Sequence, residues 1–191
     1  MSDLERRLKQ DLEPILELTD PRQRISAYHD MPYALFRYDP EDEFVLRRQV
    51  TLLQTRLEQK GKRIRRISLS ECLEAAMRLQ RPLPDWYHLE RELGTDAVIE
   101  TIHAVLSDEE SSLVDLVASQ LPEDDEPGGI VFILRTGALF PAYWTFSLLE
   151  QLKGRVHVPT VLFYPGLLEG AAGLRFMGEL DAEHNYRPKI F

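Results

Sequence analysis

Apolar residues recur near the start of the chain at intervals of three and four: Leu4, Leu8, Leu12, Ile15 and Leu16, with Glu5, Arg6, Lys9 and Glu13 on the other face. This spacing predicts an amphipathic helix over residues 3–18, kinked or restarted at Pro14, which has no N–H to donate. Residues 20–31, with Pro21 and mixed charge, read as a connection. The run Pro32-Tyr33-Ala34-Leu35-Phe36-Arg37-Tyr38 is the first strand. Asp39 then offers a cap, Pro40 fits the first helical position, and Glu41 and Asp42 suit the positive end of the dipole. The helix is expected to run to about Lys60, with Phe44, Leu46, Val50, Leu53 and Leu57 on one side and Gly61 at its end.

A more polar strand, residues 63–69, should lie near a sheet edge. Ser68 with Glu71 has the spacing of a capping box and opens a helix carrying Cys72, Leu73, Ala76 and Met77, ended by Pro82 and Pro84. Residues 85–106 give one or two helices broken near Gly94-Thr95-Asp96. Ser107 with Glu110 suggests another capping box, opening a helix to about Leu121. Pro122 to Gly129 is an acidic loop. Ile130-Val131-Phe132-Ile133-Leu134 is continuously apolar, as a parallel strand buried on both faces must be. A helix is expected from about Phe140 to Lys153, then a buried strand from Val158 to Tyr164, ending at Pro165-Gly166. Gly166, Gly170 and Gly173 mark a turn before a short strand at 174–177 and an extended segment near Tyr186–Phe191.

Strands alternate with helices, which predicts a three-layer α/β fold with a mainly parallel sheet of about four or five strands. The chain reads as one domain over residues 1–191. The helices between about 70 and 121 exceed what one crossover needs, and they read as a helical insertion.

The chain of 191 residues carries 29% charged and 43% hydrophobic residues, an ordinary globular balance, and is long enough to bury roughly 70% of its unfolded surface. Its net charge of −9 argues against a dedicated nucleic-acid binder. That charge is unevenly spread. Residues 47–66 hold eight cations against Glu58 alone, a local +7, and residues 107–126 hold eight acids with no Lys or Arg, a local −8. The basic run, with Arg47, Arg48, Lys62, Arg63, Arg65 and Arg66, is either a nucleic-acid contact or a solvated face that discourages edge pairing. It lacks the interleaved aromatics of single-strand binders. The acidic run, with Glu123, Asp124, Asp125 and Glu126, is either a solvated loop or a docking surface for a basic partner. Tyr143 and Trp144 are core residues unless one helix face is exposed, in which case they are interface anchors.

One cysteine excludes an internal disulfide, and the five histidines never fall three or four apart. Phosphate-loop, dinucleotide, nucleophile-elbow and zinc-protease motifs are missing. No cofactor, metal site or catalytic residue is therefore indicated, and the chain is expected not to be an enzyme. The charged start Asp3-Leu4-Glu5-Arg6-Arg7 has no apolar run, and no stretch is long enough to span a bilayer, so a cytoplasmic location without membrane contact is expected. One pocket remains open: Arg135, Thr136 and Gly137 follow a strand where open α/β sheets bind ligands, and Tyr164 and Gly166 should approach the same edge, forming an anion or nucleotide crevice. The alternative is a tight turn that needs glycine, with Arg135 paired to an acid.

The motif order of the C-terminal third adds a resemblance. It runs Phe132-Ile133-Leu134-Arg135-Thr136-Gly137, Phe140-Pro141, Ser147-Leu148-Leu149, Pro159-Thr160-Val161-Leu162-Phe163-Tyr164-Pro165-Gly166, then Gly170, Phe176 and Asn185-Tyr186-Arg187. With Leu4-Glu5-Arg6-Arg7-Leu8 and the strand at 32–38, this resembles the BrxB family of bacteriophage-exclusion (BREX) systems over most of the chain. Residues 70–125 share only helical character. The resemblance implies a setting with a DNA methyltransferase, a large ATPase and a phosphatase-superfamily protein called PglZ. It implies no catalytic residues. It suggests a non-catalytic adaptor whose partner is PglZ, with the ATPase second; the alternatives, read from the residues themselves, are nucleic-acid contact through residues 47–66 and a degenerate nucleotide or anion pocket at Arg135.

Overall fold

The computed structural model describes residues 2–25, 32–108, 112–122, 127–170, 173–180 and 188–191. Among these residues six strands form a sheet in the order β2-β3-β4-β1-β6, with β5 hydrogen-bonded to β4. The strands are β1 (Tyr33–Tyr38), β2 (Arg63–Ser68), β3 (Gly129–Leu134), β4 (Thr160–Glu169), β5 (Gly173–Phe176) and β6 (Lys189–Ile190). All pairs are parallel except β4 with β5. The most apolar strand, β3, is buried at all six residues. The basic β2 stands at one end of the order, where Arg63, Arg65 and Arg66 reach water.

The two-residue alternation of each strand divides the core. Tyr33, Leu35, Ile67, Val131, Ile133, Leu162 and Tyr164 face one side. Ala34, Phe36, Tyr38, Ile130, Phe132, Leu134, Val161 and Phe163 face the other. The second side is covered by the N-terminal helical segment and by α4 (Glu43–Gln59), through Leu4, Leu8, Leu12, Leu16, Leu46, Val50, Leu53 and Leu57. The first is covered by α5 (Leu69–Gln80), α6 (Leu83–Leu93), α7 (Thr95–Leu106), α8 (Leu113–Ala118) and α9 (Thr145–Leu152). Three layers result. Helices α5 to α8 form the connection between the adjacent parallel strands β2 and β3.

The N-terminal segment is α1 (Asp3–Arg7), a π-helical turn (Leu8–Leu12) and α2 (Glu13–Leu16). Leucines four apart drift by about 40° per step on an α-helix. The wider turn takes back that drift, so Leu4, Leu8, Leu12 and Leu16 all stay buried. It also lies directly ahead of Pro14, whose missing N–H breaks the regular ladder. A short α3 (Arg22–Ile25) follows.

Several local expectations are corrected. Phe44 is 79% exposed and belongs to the outer side of α4, not its core stripe. Ser68 does not cap α5, because its hydroxyl shares a 2.9 Å hydrogen bond with the Ser70 hydroxyl. Ser107 closes α7, and it is Ser112 that caps the next helix, accepting from the Asp115 N–H at 3.1 Å. Glu110, the other half of the expected capping box, lies outside the described residues. The helix expected from Phe140 starts at Thr145, since Pro141 holds Phe140 extended (ψ 137°) after a 3-10 turn over Thr136–Leu139. Strand β4 does not end at Pro165-Gly166. It runs to Glu169, because residues 166–169 exchange their partner for β5.

Candidate functional site: the crevice at the strand ends

The chain leaves β1 toward α4 on one face of the sheet and leaves β3 toward α9 on the other. Such a divergence opens a crevice beyond the carboxyl ends of the strands. Arg135 stands there, one residue past β3, with left-handed backbone (φ 60°, ψ 33°) that costs a non-glycine residue about 1–2 kcal/mol. Its guanidinium Nε lies 3.4 Å from Glu43 Oε1, at the start of α4. The second Glu43 oxygen accepts the Tyr38 hydroxyl. Burial, then the neighbouring Glu43, pushes the Tyr38 phenol well above its ordinary range, so it stays a donor.

A cavity of about 250 Å³ opens beside this pair. Arg47 of α4, Arg66 and Ser68 of β2, Ser70 of α5 and Arg135 line it, with Glu43 and Glu71, over apolar ground from Leu46 and Leu134. Residues 66 and 68 pair in register with Phe132 and Leu134, so they share the face that α4 covers. A second hollow of about 340 Å³ shares Glu43 and Arg135 and is walled by Pro40, Gly137, Pro165 and Met177. A larger one of about 550 Å³ lies at the opposite, amino-terminal edge of the strands.

Of the five residues expected around an anion pocket, Arg135 and Gly137 line these hollows. Thr136 is buried, and its hydroxyl donates to the Phe163 carbonyl at 2.7 Å, tying the turn to β4. Tyr164 is fully buried, with its ring 5.4 Å from that of Phe176. Gly166 does not line them either. An added Cβ there would lie 2.4 Å from the Arg175 carbonyl oxygen, so this glycine answers a close backbone approach.

The interface candidates also separate. Tyr143 is buried against the core, its hydroxyl accepting from Gln151 Nε2 at 3.2 Å, while Trp144 is 41% exposed. Glu123, Asp124, Asp125 and Glu126 lie outside the described residues.

The fold engages much of the basic run. Arg56 forks onto Glu13 with two 2.7 Å bonds, and Lys60 pairs with Glu17. Lys62 is buried, donates to the Leu18 carbonyl and is pulled below its ordinary pKa by desolvation. Arg63 donates to the Pro127 carbonyl and Arg65 to that of Gln120. Arg47 lies over the Phe44 ring at 5.6 Å, and Arg47, Arg48 and Arg66 form no ion pair among the described residues.

No group of three or more His, Cys, Asp or Glu among the described residues is placed to hold a metal. Cys72 is buried, which raises its thiol pKa, and its sulfur accepts from Gln120 at 3.2 Å. No helix among these residues is long and apolar enough to cross a membrane.

Sequence reasoning missed Arg47, Arg66, Ser68 and Ser70 as one constellation. The signal was the alternation Ile64, Arg66, Ser68 on β2, which places two polar side chains on a helix-covered face. It also missed the exposure of Leu79 (64%), Tyr87 (59%) and Leu93 (61%) on α5 and α6.

A family model described as BREX protein BrxB matches residues 65–190. BREX protein BrxB of Bacillus cereus (strain H3081.97) is similar, 28% identical over 187 residues that cover 95% of this chain and 96% of that protein. No solved structure matches the chain.

Proposed function

This chain belongs to the BrxB family of BREX proteins, and from that premise we propose that it serves phage defence as a non-catalytic adaptor that docks a PglZ-type protein. The observation that carries the docking surface is α6. This eleven-residue helix is anchored by the buried Trp86, whose indole N–H donates to the Met77 carbonyl at 3.1 Å under the Arg81 guanidinium, and by Leu83 and Leu89, partly buried against the core. Its remaining surface offers Tyr87 and Leu93 to solvent, with Leu79 on the preceding helix. Large apolar and aromatic side chains on a firmly anchored helix are what an interface core uses, and a specific interface buries about 800 Å² per partner. Trp144, at the start of α9, is a further aromatic available to a partner.

Nucleic-acid contact is the weaker reading, since Arg56, Lys60, Lys62, Arg63 and Arg65 already serve the fold. The test is titration of the PglZ-type protein of the same system into this chain. The double variant Tyr87→Ser, Leu93→Ser should keep its helical circular dichroism and lose at least tenfold in affinity, about 1.4 kcal/mol. Unchanged affinity would remove α6 from the interface.

A further inference from the structure

Three arginines from three separate elements line one small cavity, and nothing in the adaptor reading uses them. We propose that this crevice binds the phosphoryl group of a small phosphate ester, a nucleoside phosphate in class, through Arg47, Arg66 and Arg135.

Each part of the arrangement suits that ligand. Arg47 comes from α4, Arg66 from β2 and Arg135 from the turn after β3, so the fold itself converges them on the hollow of about 250 Å³. Arginine presents a rigid planar fork that matches phosphate oxygens two at a time. Arg47 and Arg66 form no ion pair among the described residues. Arg135 is held by Glu43 at 3.4 Å, and Glu43 is itself occupied by the Tyr38 hydroxyl. Arg135 also holds a left-handed backbone (φ 60°) at the end of β3, and such strain gathers at functional sites.

Two hydroxyls, Ser68 and Ser70, stand at the same wall and bond each other at 2.9 Å. They leave the first N–H groups of the twelve-residue α5 without a side-chain cap. A phosphate oxygen accepts from both kinds of donor.

Charge and shape narrow the class. Glu71 also lines the wall, so three cations face two carboxylates, an excess of one. That suits a phosphate monoester better than a polyanion. The adjoining hollow, which shares Glu43 and Arg135, is walled by Pro40, Pro165 and Met177 and can take an apolar body joined to the phosphate. A phosphate ester therefore uses both spaces, and free phosphate uses one.

The experiment is calorimetric titration and thermal shift of the full chain with AMP, ADP, ATP, inorganic phosphate, adenosine and a single-stranded DNA oligonucleotide. AMP or ADP should raise the melting temperature and bind more tightly than inorganic phosphate, with adenosine inert. Arg66→Gln and Arg47→Gln, both exposed side chains, should each weaken binding about tenfold. Arg48→Gln, on α4 but outside the cavity, should leave it unchanged, and Glu71→Gln should tighten it. Three results would each overturn the proposal: no heat and no thermal shift with any phosphate, equal losses in Arg48→Gln and Arg66→Gln, or binding to the oligonucleotide alone.

Discussion

At Gly166 an added Cβ would sit 2.4 Å from the Arg175 carbonyl oxygen and 2.5 Å from the Tyr164 ring. Neither the β5 backbone nor a buried ring can withdraw. Gly166→Ala should therefore cost about 1–3 kcal/mol, read as a lower denaturation midpoint, while Gly170→Ala, with nothing within 4 Å, acts only through its φ of 63°. The residue was legible as special, but its neighbours in the sequence suggested a turn. Its real reason is a strand 7–10 residues ahead that folds back on it. Arg135 shows the same limit. Its place after an apolar strand was readable, as was its pairing with some acid. Glu43 as that acid was not, because the contact requires β1 and β3 to flank β4.

Among the elements, α4 and the N-terminal helical segment form the clearest unit. Glu13 is buried to 7% exposure and takes both of its bonds from Arg56. Arg56→Met would leave that carboxylate without its partner, and should cost about 1–3 kcal/mol in chemical denaturation. Arg48→Met, on the exposed side, should cost less than about 0.5 kcal/mol. Helices α5, α6 and α7 were legible because Pro82, Pro84 and Gly94 punctuate a periodic pattern. The start of α9 and the continuation of β4 were not, since Pro141 displaces the first and pairing with β5 prolongs the second. Serine caps misled for a related reason. Ser68 had a competing hydroxyl two residues away, and hydroxyl-to-hydroxyl bonding carries no sequence signature.

For the whole molecule, the layered α/β architecture followed from strands alternating with helices, together with the continuously apolar β3, which is buried on both faces. Strand order did not follow, because the sheet order is set by pairings between segments distant in sequence: β1 with β4, and β6 beside β1. The surface proposed for docking was equally hidden. Exposure of Tyr87 and Leu93 depends on how little of α6 the rest of the fold covers, and periodicity alone assigns such residues to a core. Assembly with the PglZ-type protein is tested by co-expressing this chain with that protein from the same BREX system and weighing the product by size-exclusion chromatography with light scattering. A single co-eluting species of fixed stoichiometry is expected. Two separate peaks at their individual masses, under conditions where both proteins are folded, would contradict it.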